Sequence, residues 1–306
     1  MRYCDNWLTS QIFSFDYSSK IAHPLRDLQI ELLMMQTMRN YNQKKADREL
    51  EALIIEAILF IRRHEPPEGY FVSFSGGKDS IVSLYLAYIA GVRYQAFFIN
   101  TGIEPPPVVT FIKEHYPEVR FLYPRYSFFE GIRRNSPPLR NRRWCCELLK
   151  KVSTAAVPLK HRIIGNRKEE SVLRFNQERV DYQSRYRFHL YRPIHDWKEW
   201  AVWQFIERYR LPYPSLYDEG WSRIGCVVCP YICTKNMVQI NRNRERWPGI
   251  FKAFEHAVTD WFHSRQAQGK VFQEASAEEY IQKWYRADLY KPRTRKSARS
   301  RPPPTS

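Results

Sequence analysis

The segment Val72-Ser73-Phe74-Ser75-Gly76-Gly77-Lys78-Asp79-Ser80 decides the fold. It reads as the end of an apolar strand, a Gly-Gly turn and the start of a helix. Two glycines let the backbone approach an anion closely. The helix that follows offers unpaired N–H groups and the positive end of its dipole. The Ser75 and Ser80 hydroxyls can donate to phosphate oxygens, and Lys78 adds a point charge. Asp79 is the odd member, because an acid beside phosphates is costly unless it holds Mg²⁺. A plain Gly-Gly turn capped by Asp or Ser would need neither the lysine nor both serines. The Walker loop is excluded, since it places four residues between its first glycine and Gly-Lys.

Working outward, the apolar positions Leu50, Leu53, Ile54, Ala57, Ile58 and Ile61 follow helical spacing, so 44–64 is expected as an amphipathic helix ending before Pro66-Pro67. Strands are expected at Tyr70–Phe74, Tyr94–Asn100, Val119–Tyr123 and Arg162–Ile164, with helices at about 79–90 and at 106–115, the latter started by proline. Strand and helix alternate, which predicts a parallel sheet covered on both faces, with ligands outside the carboxyl ends of the strands. After residue 190 the character changes. An aromatic-rich helix at Lys198–Arg210 precedes a cysteine-bearing loop and helices near 245–264 and 277–287. The expected organisation is an N-terminal extension (1–43), the α/β domain (44–235), a helical region (236–290) and a basic disordered tail (291–306).

The formal net charge is +17, and it is concentrated. Residues 120–187 carry 17 Lys/Arg against 6 Asp/Glu, and 291–306 carry six basic residues and no acid. A positive surface around a site favours a polyanion, either a nucleotide or a nucleic acid. No apolar run approaches the ~18 residues of a membrane span, and Met1 to Ser10 lack a signal pattern. The expectation is a cytoplasmic protein with no membrane partner.

Five of the six cysteines fall in two short segments: Cys145-Cys146, then Cys226-Val227-Val228-Cys229-Pro230 with Cys233 shortly after. A disulfide scaffold does not cluster this way. C-x₂-C turns two thiolates toward one point, and the adjacent pair completes four ligands, which suits zinc or an iron–sulfur cluster. His161, His189 and His195 lack metal-ligand spacing and read as structural. Trp197, Trp200, Trp203 and Phe205 read as packing rather than as a base-stacking platform.

Ser75 to Ser80 resembles the SGGxDS pyrophosphate loop of the PP-loop adenine nucleotide α-hydrolase superfamily, whose members typically cleave ATP between its α and β phosphates. The dyad Cys145-Cys146 followed by Cys226-x₂-Cys229 is similar to the [4Fe–4S] pattern of assimilatory adenylylsulfate reductases, within the phosphoadenosine phosphosulfate (PAPS) reductase family. Asn100-Thr101-Gly102-Ile103-Glu104, Gly165-Asn166-Arg167-Lys168-Glu169-Glu170-Ser171 and Tyr217-Asp218-Glu219-Gly220 also look like that family, and the resemblance spans roughly 70–235. It implies a Rossmann-like parallel sheet of the PP-loop type with helical N- and C-terminal additions. It implies nucleotide binding by Ser75, Gly76, Gly77, Lys78, Asp79, Ser80, Thr101, Gly102, Gly165 and Arg167, with Lys78 and Asp79 catalytic. Arg174 is a weaker member, as a surface arginine would fit its place equally well. Cys145, Cys146, Cys226 and Cys229 would ligate the cluster, with Cys233 a spare or alternative ligand and zinc the alternative metal.

Two departures shape the functional expectation. The sulfonucleotide reductases carry a nucleophilic cysteine in a C-terminal tail, and no cysteine follows Cys233 here. Those reductases usually have a degenerate phosphate loop, whereas this one keeps Lys78 and Asp79. Both favour ATP over a sulfonucleotide. Asn100 also stands where the family usually has Asp. The expected activity is cleavage of ATP, with Mg²⁺, to AMP and pyrophosphate to activate an acceptor for sulfur transfer. The acceptor would be a tRNA or DNA, and the sulfur would come from a donor or reductant protein. The alternatives are a PAPS or adenylylsulfate reductase drawing its nucleophile from Cys4, Cys233 or a partner, and a non-catalytic nucleotide sensor that binds nucleic acid.

Overall fold

The computed structural model describes residues 45–233 and 237–289. The N-terminal extension with Cys4, the basic tail and the Cys233 side chain lie outside what it describes. A six-stranded sheet has the order β3-β2-β1-β4-β6-β5, with β1 (Tyr70–Ser73) at its centre. β2 (Tyr94–Ile99), β3 (Arg120–Leu122), β4 (His161–Ile163) and β6 (Phe188–Tyr191) run parallel to it. β5 (Val180–Gln183) is antiparallel to β6 and forms the edge. The topology is a Rossmann-like, mostly parallel sheet with a crossover from β3 back to β4 beside β1. The wholly parallel expectation is corrected at this edge, where a tight turn through Arg187, at positive φ, returns the chain on itself.

α1 (Lys45–Arg63) buries Leu50, Ile54, Ala57, Ile58 and Ile61, the stripe that the spacing predicts. Burying each aliphatic side chain contributes about 1.5–3 kcal/mol, so this face anchors the helix to the domain. α2 (Lys78–Ile89) follows the phosphate loop, and α3 (Pro106–His115) starts on its two prolines. α4 (Phe128–Arg134) has no expected counterpart, its seven residues being too few to show a period. Phe205 of α5 (Glu199–Arg208) and Trp197 just ahead of it pack into the core, as expected, while Trp200 and Trp203 are half-buried against it.

The helix expected near 245–264 is corrected to two, α6 (Met237–Arg246) and α7 (Pro248–Ala267). Pro248 cannot donate to the preceding turn, so it opens the second helix. α8 (Ala277–Tyr285) completes the region. These helices brace both cysteine segments. Phe254 of α7 packs against Phe128 and Trp284, and the Trp284 indole donates to Pro138 O at 2.8 Å, fixing the arm that leads to Cys145. Asn243 of α6, 3% exposed, donates to Val227 O at 3.0 Å and accepts from Trp221 Nε1 at 3.2 Å, fixing the loop of Cys226 and Cys229.

Candidate active site

The phosphate loop closes through local bonds. Ser80 Oγ donates to Gly77 O at 2.8 Å and accepts from Ser75 N at 3.1 Å. Gly76 has φ +71°, and a Cβ there would stand 2.8 Å from Val108 Cγ1, so only glycine fits between the loop and α3. Gly165, just past β4, comes so close to α2 that a Cβ would lie 2.6 Å from Asp79 O. The first N–H of α2, on Lys78, donates to the Tyr217 hydroxyl at 3.0 Å. A protein oxygen thus stands where the helix dipole favours an anion.

The charged groups are paired. Arg167, buried to 3% exposure, donates through Nε to Asp79 Oδ1 and through Nη1 to Glu169 Oε2 at 2.7 Å. Lys78 Nζ lies 3.2 Å from Glu199 Oε1, donates to Ser222 O at 3.2 Å and sits over the Tyr217 ring. Asp79 therefore orients Arg167 as well as facing the loop. Arg174 pairs with Glu170, and burial pushes its guanidinium down to about 10.

Cys145 and Cys146 open a π-helix (Cys145–Val152), a form that recurs at functional sites. They and Cys226 and Cys229 are free thiols, all near enough to influence one another's ionisation. Lys150 Nζ stands 3.4 Å from Cys226 Sγ and 3.3 Å from Glu104 Oε1. A hydrogen bond from Cys145 lowers the Cys146 thiol below the ordinary cysteine range, against burial and with help from Lys150. Burial pushes Cys226 up to about 12 in spite of Lys150. Four unpaired thiols from two braced segments, with a cation to balance thiolate charge, suit the donor chemistry of an iron–sulfur cluster or zinc. Among the described residues no three ligand-type side chains lie close enough to hold a metal ion as they stand.

The sequence profile of the phosphoadenosine phosphosulfate reductase domain matches residues 69–232, more than half of the chain. The chain belongs to that family. An uncharacterized protein of Methanocaldococcus jannaschii is 30% identical over 206 residues, 62% of this chain and 41% of that protein. A second from the same organism is 28% identical over 245 residues, and 58% of it is covered, so the chain spans about half the length of these two relatives. The phosphoadenosine 5'-phosphosulfate reductase of Gloeobacter violaceus is 29% identical over 218 residues, 67% of this chain and 88% of that one. A crystal structure of PAPS reductase from Candida auris is similar at a TM-score of 0.46 and 16% identity, covering 60% of this chain and 96% of that one.

In this PAPS reductase-family domain, a cavity of about 750 Å³ joins the phosphate loop to the cysteine-bearing helix. Ser75, Gly77, Lys78, Asp79 and Ser80 line one end, with Gly165, Arg167 and Arg174 beside them. Cys146 lines it as well. Gly76, Thr101 and Gly102 do not line it. Thr101, 3% exposed, turns its hydroxyl to Glu104 at 2.8 Å, while Gly102 N donates to Asn100 Oδ1. That loop instead reaches the cysteines, through Glu104 on Lys150 and through Val227 N donating to Ile103 O at 2.7 Å.

Three further residues emerge from the structure. Lys150 follows Cys146 by four positions, one helical turn, a spacing legible in sequence once the dyad is read as ligands. Tyr217 and Glu199 reach the loop from distant segments, and no local signal marks them. Trp203, expected only to pack, meets the Tyr217 ring edge-on at 5.1 Å and so supports it. His161 and His189 stack at 4.9 Å, and His195 Nε2 bonds Gln177 O at 2.8 Å, in keeping with structural roles.

Proposed function

We propose that this protein cleaves ATP to AMP and pyrophosphate, adenylylating an acceptor that then receives sulfur. One observation carries the reading: a complete phosphate loop, with its lysine and helix start, shares one cavity with Cys146 of the cysteine set. The loop would hold the pyrophosphate portion, with Lys78 and Arg167 offsetting charge on the departing oxygens and Asp79 the carboxylate available to Mg²⁺. An acceptor oxygen attacks the α-phosphorus and the bond to the β-phosphate oxygen breaks, so pyrophosphate leaves with the electron pair. The outer sulfur of a donor protein's persulfide then attacks the activated acceptor and displaces AMP, leaving acceptor and donor cysteine joined by a disulfide. A thiol reductant supplies the two electrons that cleave it, freeing the donor cysteine and leaving the sulfur on the acceptor. Cys145, Cys146, Cys226 and Cys229 would hold a [4Fe–4S] cluster, which when bound supplies thiolate-ligated iron suited to handling sulfur. Positioning within one cavity supplies much of the acceleration.

The second reading, reduction of a sulfonucleotide to sulfite, is favoured by the reductase relatives. One experiment separates the two. Anaerobically purified protein is offered ATP, adenylylsulfate and PAPS in parallel, with Mg²⁺, a thiol reductant and bulk tRNA. AMP and pyrophosphate from ATP alone support the proposal. Sulfite from either sulfonucleotide overturns it.

A further inference from the structure

The far end of the cavity, away from the phosphate loop, holds a buried cation that the proposed chemistry leaves unused. Arg162 projects from β4 opposite Phe71 of β1 and Leu190 of β6. It is 4% exposed and lines the cavity. Its Nη1 donates to Thr154 Oγ1 at 2.5 Å and its Nη2 to Thr154 O at 2.7 Å, while Nε has no partner. The guanidinium lies 3.7 Å from the Phe188 ring centre and 4.8 Å from that of Phe71. Two neutral oxygens and two rings orient a guanidinium, but they bring it no negative charge. Burial, unrelieved by any carboxylate, pushes it down to about 10. Arg192, equally buried on the same wall, makes the contrast: it has Asp181 at 3.5 Å.

The charges of the cavity are divided along its length. Its four carboxylates, Asp79, Glu169, Glu170 and Glu199, all pair with cations of the phosphate-loop end. Lys150 and Lys151 also line the cavity, but Glu104 and Glu147 pair with them, which leaves Arg162 a buried cavity cation with no carboxylate. A buried, permanently charged arginine is costly without a counter-charge, and an anion is the economical way to supply one.

We propose that the far end of the cavity is an oxyanion subsite centred on Arg162, which takes a carboxylate or phosphate group carried by the acceptor. The uncompensated charge of the guanidinium, lying between the Phe71 and Phe188 rings, is what draws the anion to this end of the cavity. The word acceptor rests on the ATP-cleavage reading above; the anion site does not.

The test measures thermal midpoints of the full chain without nucleotide, at constant ionic strength, as chloride is exchanged for sulfate or, separately, acetate. Wild type is compared with Arg162→Met, Lys78→Ala and the double variant. Methionine keeps the volume between the two rings while removing the charge. A bound anion raises the midpoint by mass action, and the general salting effect of sulfate is common to all four proteins. Arg162→Met is expected to lose at least half of the anion-dependent rise that Lys78→Ala retains, and the double variant to lose all of it. A rise with sulfate that Arg162→Met lacks assigns a tetrahedral oxyanion, and a rise with acetate that it lacks assigns a carboxylate. An unchanged rise in Arg162→Met overturns the proposal and leaves Arg162 a packing strut. Should the methionine variant not fold, Arg162→Lys keeps the cation and must keep the rise; its complete loss there overturns the proposal equally. With no ATP in the tube, failure of the ATP-cleavage reading leaves this result standing.

Discussion

At the scale of single residues, Lys78 and Tyr217 meet the start of α2 with opposite consequences. On the proposed ATP cleavage, Lys78 would be the charge nearest the leaving pyrophosphate, so Lys78→Ala is expected to reduce AMP formation by about 100-fold or more, the usual cost of losing one preorganised electrostatic contact. Its partner Glu199 is half exposed and can be rehydrated, but Lys78 itself is buried and bonds Ser222 O, so a modest fall in melting temperature is expected as well. Steady-state release of AMP together with a thermal melt checks both statements. Tyr217 instead occupies the N–H that an anion would take. Tyr217→Phe removes that competitor, and inorganic pyrophosphate is expected to bind about 2- to 10-fold more tightly, the equivalent of one net hydrogen bond of roughly 0.5–1.5 kcal/mol. Calorimetric titration of the two proteins decides it, and weaker binding by the variant would make Tyr217 a phosphate ligand in its own right.

Among the elements, the braces around the cysteines matter as much as the cysteines. Asn243→Ala leaves Val227 O and the Trp221 indole N–H without a bond in a buried place. Each buried orphan costs about 1–3 kcal/mol, and the loss falls on the loop that positions Cys226 and Cys229. The expected outcome is a lower melting temperature and a metal content well below that of wild type, read by elemental analysis of anaerobically purified protein. The β4–β6 seam makes a prediction in pH. Burial lowers the ionisation of His161, with His189 stacked on it adding to the effect and Glu68 opposing it. The unfolded chain therefore takes up this proton first, so folding stability is complete above the ordinary histidine range near 6.5 and falls as pH drops through and below it. His161→Gln should show a smaller loss of urea midpoint between pH 7.5 and 5.5 than wild type.

These examples also separate what was legible in the sequence from what was not. The phosphate loop, α1 and the first four strands follow from local patterns, because a strand followed by Gly-Gly and a helix start needs no distant partner to be recognised. The clustering of the cysteines was legible in their spacing, and the fold brings the two segments within electrostatic reach of each other. Arg162, Tyr217 and Asn243 were not, since each acquires its meaning from residues far along the chain. A basic residue in a short strand reads as surface until Phe71 and Phe188 are brought onto its two faces. Thr101 illustrates the converse: its motif pointed to the nucleotide, but Glu104, three residues on, captures its hydroxyl.

For the molecule as a whole, the question is what approaches this cavity. The excess of Lys and Arg in 120–187 includes Arg142 and Arg143, exposed just ahead of the cysteine-bearing helix, with Arg143 stacked on Tyr231 beside Cys229. This puts unneutralised charge at the same edge of the fold as the cysteines, where a nucleic-acid acceptor would have to dock for a base to reach the cavity. Phosphate neutralisation releases counterions, so log K for tRNA should fall linearly with log salt, by about 0.7–0.9 for each phosphate contacted. The variant Arg142→Glu/Arg143→Glu is expected to weaken tRNA binding by at least 10-fold in about 0.1 M salt and to flatten that slope by one to two units, while leaving pyrophosphate binding unchanged. Filter binding across a salt series measures both quantities. A flat slope in wild type would restrict the basic block to serving the nucleotide and make the acceptor a small molecule, for which the Arg162 end of the cavity is the remaining place to bind.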